Sequence, residues 1–395
     1  MSDGIVLTGL PGVGKTTVGQ AVAAKLGRPF IDIDWEIRRI SGSASAAVLA
    51  NGGEPELRAL EGMAVADAVK TPGAVISTGG GTTLEPLNRW LLMEHGFRVR
   101  LDAPFDQLAT RLLADTSTPR PLLTGDLEGG LRRFGESRAD VYAAVDAVIE
   151  AAEDPDLVAE KVVHASGDRP GWRLLLDRPF ARHHPVGPEN GRLLMGAGLT
   201  EPALSSALEA EFGGTSPIVL ADPRALSSCS SLESALASYR SCSLEGGESS
   251  KTFAQLGSVL TWLSEIGAER SDPLIVAGGG TVGDLGGLAA ALHRRGMPLV
   301  QIPTTWLAQA DSAIGGKVAV DLPNAKNGVG AVWPAWLIVT DARLPESLSV
   351  DRRRDGIAEC LKMGLIGDPL LWRLVEERGV AALSGTDAAA AYAMT

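Results

Sequence analysis

The stretch Gly9–Thr17, GLPGVGKTT, constrains the chain more than any other. It fits G-x-x-x-x-G-K-T and lies between an apolar run, GIVLTGL, and a helical pattern, KTTVGQAVAAKLG, with a glycine stop at Gly27. The motif requires that context. Backbone N–H groups of the loop and of the helix N-terminus hold phosphate oxygens. Gly12, Gly14 and Thr17 belong to the cradle, Lys15 reaches the β- and γ-phosphates, and Thr16 offers a hydroxyl to Mg2+. The next segments keep the same rhythm. PFIDID, AVISTGGG and FRVRLDA read as strands, and ELRALEGMAVADAVK reads as an amphipathic helix. Strands alternating with helices mean a parallel α/β sheet.

The alternation fades near VAEKVVHAS, and GDRPGW, residues 167–172, has the punctuation of a linker. A second α/β series follows: GRLLMGAGL, SPIVLAD, FAQLGSVLTWLSEIG, DPLIVAGGG, LGGLAAALHRRG and PLVQIPTTW. Strands stop near residue 348, and helix continues into an alanine-rich end, AAAAYAMT. The expected fold is therefore α/β throughout. A P-loop domain covers 1–166 and a Rossmann-like α/β domain covers 173–348. The start of a helical domain, residues 349–395, reads as truncated.

Composition narrows the function classes. A net charge of −12 argues against nucleic acid and anionic membranes as partners, and no apolar run is long enough to span a bilayer. Cys229, Cys242 and Cys360 form no C-x-x-C pair, which reads as reduced cytosolic thiols. With no basic, apolar leader at Met1, the expected location is the cytoplasm. Lysine is rare: only eight of the 36 basic residues. An ammonium is a compact charge with a movable pKa, and arginine replaces neither property.

Several residues in the first series suit an acceptor site. Asp32 and Asp34 end the second strand, and strand alternation aims both to one side. One of them suits Mg2+ and the other suits a proton acceptor for a hydroxyl. Arg58 and Glu61 share one helix face, a spacing that also fits a plain surface ion pair. The glycines at 79–81 allow close backbone approach. Arg120 sits in a proline-bracketed loop, TPRPLL, and Arg138 and Tyr142 read as a later helix.

GLPGVGKTT, DID, LR..E, GGG, RPLL and ESRADVY together resemble the shikimate kinase family over nearly all of residues 1–165. The resemblance implies transfer of the ATP γ-phosphoryl to shikimate with Mg2+. Asp34 would orient and deprotonate the 3-hydroxyl, and Asp32 would support the metal. Arg58 and Arg138 would clamp the carboxylate with help from the Gly80 amide, and Arg120 would be the lid arginine. Two departures stand out. Leu57 replaces an aromatic, and SASAAVLANGG is less bulky than usual, which loosens the acceptor pocket without removing a charged contact.

In the second series VAGGGTVGDLGG ends a strand in glycines and opens a helix, a turn suited to a dinucleotide pyrophosphate. Lys251, Lys317, Lys326 and Lys362 are the only lysines after residue 168, and each falls in a motif with neighbouring acids or amides. Clustered ammonium groups suit a phosphorylated acidic substrate. PTTWLAQADSAIGGK followed by AKNGVG resembles 3-dehydroquinate synthase. That resemblance implies NAD+ held by Glu248, Lys251, Gly279, Gly280, Asp284, Thr304 and Thr305. Substrate contacts would come from Asp311, Lys317, Lys326, Asn327 and Lys362, with Lys317 and Lys362 catalytic. Arg295 would take phosphate, across a homodimer; the kinase half would be monomeric. The family's Zn2+ or Co2+ is held by one glutamate, matched by Glu359, and two histidines. The histidines here are His95, His164, His183, His184 and His293, all upstream of Glu359. The metal site therefore reads as incomplete, and the synthase half as inactive. The rival readings are a kinase for another polyol such as gluconate, and a second half that only scaffolds or binds NAD+.

Overall fold

The computed structural model describes residues 3–114, 126–143, 145–167, 173–181, 190–198 and 202–366, with 371, 372, 375, 376 and 379 beyond. It divides into two compact units, Met1–Leu175 and Leu176–Thr395.

The first unit is built on β1 (Gly4–Thr8), β2 (Phe30–Asp32), β3 (Val75–Ser77), β4 (Gly96–Asp102) and β5 (Ala147–Glu150), in the order β2–β3–β1–β4–β5. Every pairing is parallel. β1 is buried along its whole length, and its alternation serves two cores. Ile5 and Leu7 join Val99, Leu101 and Val22 on one face, while Val6 joins Ile76, Ile37 and Val65 on the other. Around the sheet lie α1 (Lys15–Leu26), α2 (Ile33–Ser41), α3 (Ser45–Ala68), α4 (Pro86–His95), α5 (Phe105–Ala114), α6 (Leu127–Ser137), α7 (Ala139–Ala143) and α8 (Pro155–Gly167). α1 stops at Gly27, whose φ of 63° lets its N–H reach back to Ala23 and Ala24 carbonyls. The carboxyl ends of β1, β2 and β3 share one edge. The loops after them therefore converge there, as ligand-binding loops of parallel sheets do.

Two local expectations change. PFIDID is strand only to Asp32; Asp34 lies in the first turn of α2, with Asp32 as its N-cap. The Asp32 carboxylate accepts from the Asp34 N–H at 3.0 Å, so capping, not strand alternation, sets their relation. The helix carrying Arg58 starts earlier than the pattern suggested and bends at Gly53, where φ is 77° just before Pro55.

The second unit orders its main sheet β6–β7–β14–β11–β10–β8–β9. The strands are β6 (Arg173–Ala181), β7 (Asn190–Ala197), β8 (Ile218–Ala221), β9 (Arg240–Ser243), β10 (Leu274–Gly278), β11 (Leu299–Pro303) and β14 (Leu337–Asp341). β12 (Lys317–Leu322) and β13 (Ala325–Val332) form a separate antiparallel hairpin, which the motif reading had not recognised as strands. The helices are α9 (Pro202–Phe212), α10 (Pro223–Ser228), α11 (Ser230–Leu236), α12 (Phe253–Glu265), α13 (Gly280–Leu292), α14 (Val350–Arg354) and α15 (Ile357–Ile366). Residues Ala308–Ser312 form a π-helical turn, with the Ala313 N–H bonded to the Ala308 carbonyl at 3.1 Å.

Candidate functional site

The first unit holds a cavity of ≈ 670 Å³, within the size range of small-molecule sites. Its floor is the loop after β1. Gly12 and Gly14 have φ of 82° and 96°, which L side chains rarely adopt, so this backbone depends on glycine. No side chain caps the N-terminus of α1, leaving its first N–H groups to a ligand. Lys15 Nζ donates to the carbonyls of Gly9 at 2.9 Å and Leu10 at 3.1 Å. Thr16 Oγ1 donates to Asp32 Oδ2 at 2.7 Å. Burial pushes the Asp32 carboxyl above its ordinary range, aided by the charge of Asp34 and opposed by the Thr16 bond. Thr16 and Asp32 supply hard oxygen donors side by side, the donor type that Mg2+ prefers.

The opposite wall carries the acceptor residues. Asp34 is exposed, and its Oδ1 accepts from Ser45 Oγ at 2.7 Å. Arg58 bonds Glu61 through Nη1 and Glu54 through Nη2, the latter at 2.6 Å. The pair is no plain surface contact, because the Glu61 side chain is 4% exposed and the Arg58 side chain 13%. Burial lifts the Glu61 carboxyl above its ordinary value. Burial also pulls on the Arg58 guanidinium, but the charges and hydrogen bonds of Glu61 and Glu54 outweigh it, and the group stays above its ordinary value. Arg138 lies between α6 and α7, stacked over Phe134 at 4.4 Å, and donates to the Gly80 carbonyl at 2.8 Å. Tyr142 Oη donates to the same carbonyl at 2.7 Å. Gly80 thus presents its carbonyl to these two side chains.

One cavity thus brings together Gly12, Gly14, Lys15, Thr16, Thr17, Asp32, Asp34, Arg58, Gly80 and Arg138. Arg120 falls outside the described residues. The sequence reading missed Arg38, Ser45 and Phe134, which also line the cavity, and Glu54 on Arg58. Only Glu54 carried a signal, because glutamate four residues before arginine is a favourable helical spacing.

The second unit gathers charge at the carboxyl edge of its sheet. The turn after β10 leads through Gly279 into α13, and the Thr304 N–H after β11 donates to the Gly278 carbonyl at 2.9 Å. Lys251 is 5% exposed, and its Nζ bonds Asp284 Oδ2 and Asn327 Oδ1, each at 2.5 Å. Asn327 holds a left-handed φ of 53°, with its N–H on Asp321 Oδ1 at 2.6 Å. Lys326 pairs with Glu248 at 2.6 Å. Burial raises the Asp284 carboxyl, Lys251 opposes this, and the charges of Glu248 and Asp311 add to it. Glu248, Lys251, Asp284, Asp311, Lys326 and Asn327 therefore form one electrostatic cluster. Thr305 stands against Gly279, where an added Cβ would meet its side chain at 3.1 Å. Lys317 is exposed at the start of β12. Arg295 is exposed past the far end of α13, roughly 20 Å along that helix from Gly280, and so is not brought to the cluster by its own chain.

Lys362 donates to Glu359, and its ammonium also senses Asp311. Among the described residues no three histidines, cysteines or acids group as metal ligands. His293 is buried with Nε2 on the Ala268 carbonyl at 3.0 Å, while His183 and His184 lie outside the described residues. Three protein ligands are the norm for catalytic zinc, so the described residues do not fit one.

These two constructions define a P-loop kinase domain followed by a Rossmann-like α/β domain. Residues 11–166 match the shikimate kinase family, and residues 241–355 match the N-terminal domain of 3-dehydroquinate synthase. The chain is a fusion resembling both families. The 3-dehydroquinate synthase of Xanthomonas axonopodis pv. citri is 44% identical over 151 residues, which cover 38% of this chain and 41% of that protein. Less than half the length of such synthases is thus matched. The shikimate kinase of Acinetobacter baumannii, solved in complex with shikimate, is 31% identical, with a TM-score of 0.39 over 42% of this chain and 92% of that one. ValA, a 2-epi-5-epi-valiolone synthase from Streptomyces hygroscopicus solved with NAD+ and Zn2+, is 28% identical, with a TM-score of 0.48 over 53% of this chain and 60% of that one.

Proposed function

We propose that the first half transfers the γ-phosphoryl of ATP to the 3-hydroxyl of shikimate. The observation that carries this reading is the single cavity shared by the P-loop, Asp34, Arg58 and Arg138. A phosphate-binding loop alone names no acceptor, but two arginines opposite it suit a hydroxy-acid, whose carboxylate shikimate, quinate and gluconate all carry. Lys15 would exchange the Gly9 and Leu10 carbonyls for phosphate oxygens. Asp34 would give up the Ser45 hydroxyl to accept the acceptor's proton. Thr16 and Asp32 would hold Mg2+, which neutralises phosphate charge when bound. The test is ADP release with shikimate, quinate and gluconate at equal concentration. A preference for gluconate sinks the assignment.

The second half, in our reading, binds NAD+ at the Gly278–Gly280 turn and the Lys251–Asp284 cluster, in a chain devoted to aromatic biosynthesis. We further propose that the described residues do not by themselves sustain carbocycle formation, because Glu359 is paired with Lys362 and no further histidine, cysteine or acid groups with it as a ligand set among the described residues. Phosphate release from 3-deoxy-arabino-heptulosonate 7-phosphate, with NAD+ and Zn2+ or Co2+, tests this. Ordinary turnover, abolished by Glu359→Ala, would refute it. We keep the domain limits 1–166, 173–348 and 349–395, a monomeric kinase half, a homodimeric synthase half and cytoplasmic residence as proposals. Light scattering and cell fractionation check the last three. Among the described residues no helix is long and apolar enough to cross a membrane.

A further inference from the structure

The guanidinium of Arg58 is enclosed. Nη1 is on Glu61, whose carboxylate is buried and also accepts from Thr82 Oγ1 at 3.0 Å. The backbone of Gly81 closes a second side, where an added Cβ would run into both Nη atoms. The remaining partner, on Nη2, is Glu54 at 2.6 Å, and the Glu54 side chain is 62% exposed. A carboxylate gripped by arginine needs two parallel N–H groups. With an acid already on each Nη, an incoming carboxylate that grips the Nη pair takes the place of one of these two acids. Glu61 is held by Thr82 and by burial. Glu54 has no second hydrogen-bond partner among the described residues, and it sits at the bend, between Gly53 with φ of 77° and Pro55. Charge gives the same answer. Arg58 already carries two carboxylates, so it adds little attraction for a third until one leaves, whereas Arg138, in the same cavity, has no carboxylate on it among the described residues.

We propose that Glu54 occupies the edge of Arg58 that the acceptor carboxylate takes, so that displacing Glu54 sets the affinity for the acceptor. This rests on the reading of Arg58 as a carboxylate clamp. It differs from a scaffolding role, in which Glu54 aims Arg58 and its loss would weaken acceptor binding. The two roles predict opposite signs.

The experiment uses the full chain with Glu54→Gln and Glu54→Ala, each checked by melting temperature. KM is measured for shikimate and ATP, and calorimetric affinity for shikimate and its methyl ester. The expected result is a shikimate KM lower by about two- to fivefold, the size an exposed ion pair carries. ATP KM should stay put, and the carboxyl-free ester should gain nothing. A shikimate KM that is unchanged or higher in both variants, or an equal gain for the ester, overturns the role of Glu54. If the wild-type protein neither binds nor phosphorylates any hydroxy-acid, the clamp reading itself falls, and this proposal falls with it.

Discussion

The two sites use charge in opposite ways. In the first unit Lys15, Asp34, Arg58 and Arg138 all face one cavity, and their present partners include backbone carbonyls, a hydroxyl and an exposed carboxylate. A ligand can replace such partners at modest cost. In the second unit Lys251 is buried between Asp284 and Asn327, Lys326 holds Glu248, and Lys362 holds Glu359. There the charges satisfy one another. The contrast separates side chains poised for an incoming molecule from a buried lysine, Lys251, that also holds the fold.

The sharpest way to break that contrast is Lys251→Met. Removing one partner of a buried pair strands the other, so the second unit should lose ~3 kcal/mol while the first keeps its melting behaviour. Calorimetry with NAD+ and with ATP follows each half separately. If NAD+ affinity falls and stability holds, Lys251 is a ligand-facing residue and the two sites are alike after all. Lys15→Met should act the other way, with kcat/KM for phosphoryl transfer down by roughly 10²–10³ and little change in melting. Arg58→Lys should raise the shikimate KM by about 10- to 100-fold and leave ATP KM nearly unchanged, because an ammonium does not reproduce a bidentate grip. Both KM values near wild type would reduce Arg58 to a structural partner of Glu61.

The smallest effect is a pH dependence at Asp32. Its folded carboxyl is held above the ordinary value by burial. The folded state therefore binds that proton more tightly than the unfolded chain does. This contribution is complete below the ordinary carboxylate range, near ~4, and fades as pH rises through the folded pKa. Asp32→Asn removes the fading. Measured without Mg2+, the variant's melting temperature should gain on the wild type by about 2–4 °C between acid and neutral pH. A constant difference across that range would show that Asp32 titrates normally.

Legibility followed the range of the forces. The P-loop was fully readable, because glycine backbone freedom and the strand–helix switch are local. Asp32 and Asp34 were found, but through the wrong geometry: the strand reading put both on one face, whereas Asp32 caps the helix that begins at Ile33. The hairpin from Lys317 to Val332 went unread as strands although Val318 and Val320 alternate in β12; its second strand, AKNGVGAV, is mostly exposed, rich in glycine and turns left-handed at Asn327, so it carries no apolar period. Ser45 on Asp34 and the enclosure of Arg58 by Gly81 are tertiary contacts, and no local pattern encodes them. Arg295 matched its motif but lies past the far end of α13, which only the length of that helix reveals.

The π-helical turn at Ala308–Ser312 makes one part of the second site sensitive to length more than to letter. Its i→i+5 bonding carries one residue more than an α-turn would. Losing a single codon there would let the backbone fall back to i→i+4 bonds. Asp311 would then swing by roughly 100° about the helix axis, away from the side where its charge reaches Asp284 and Lys362. Among the changes open to a gene drifting by small steps, a one-codon deletion at this turn would do what few point substitutions could: it would rotate the site out of register while leaving nearly every side chain in place.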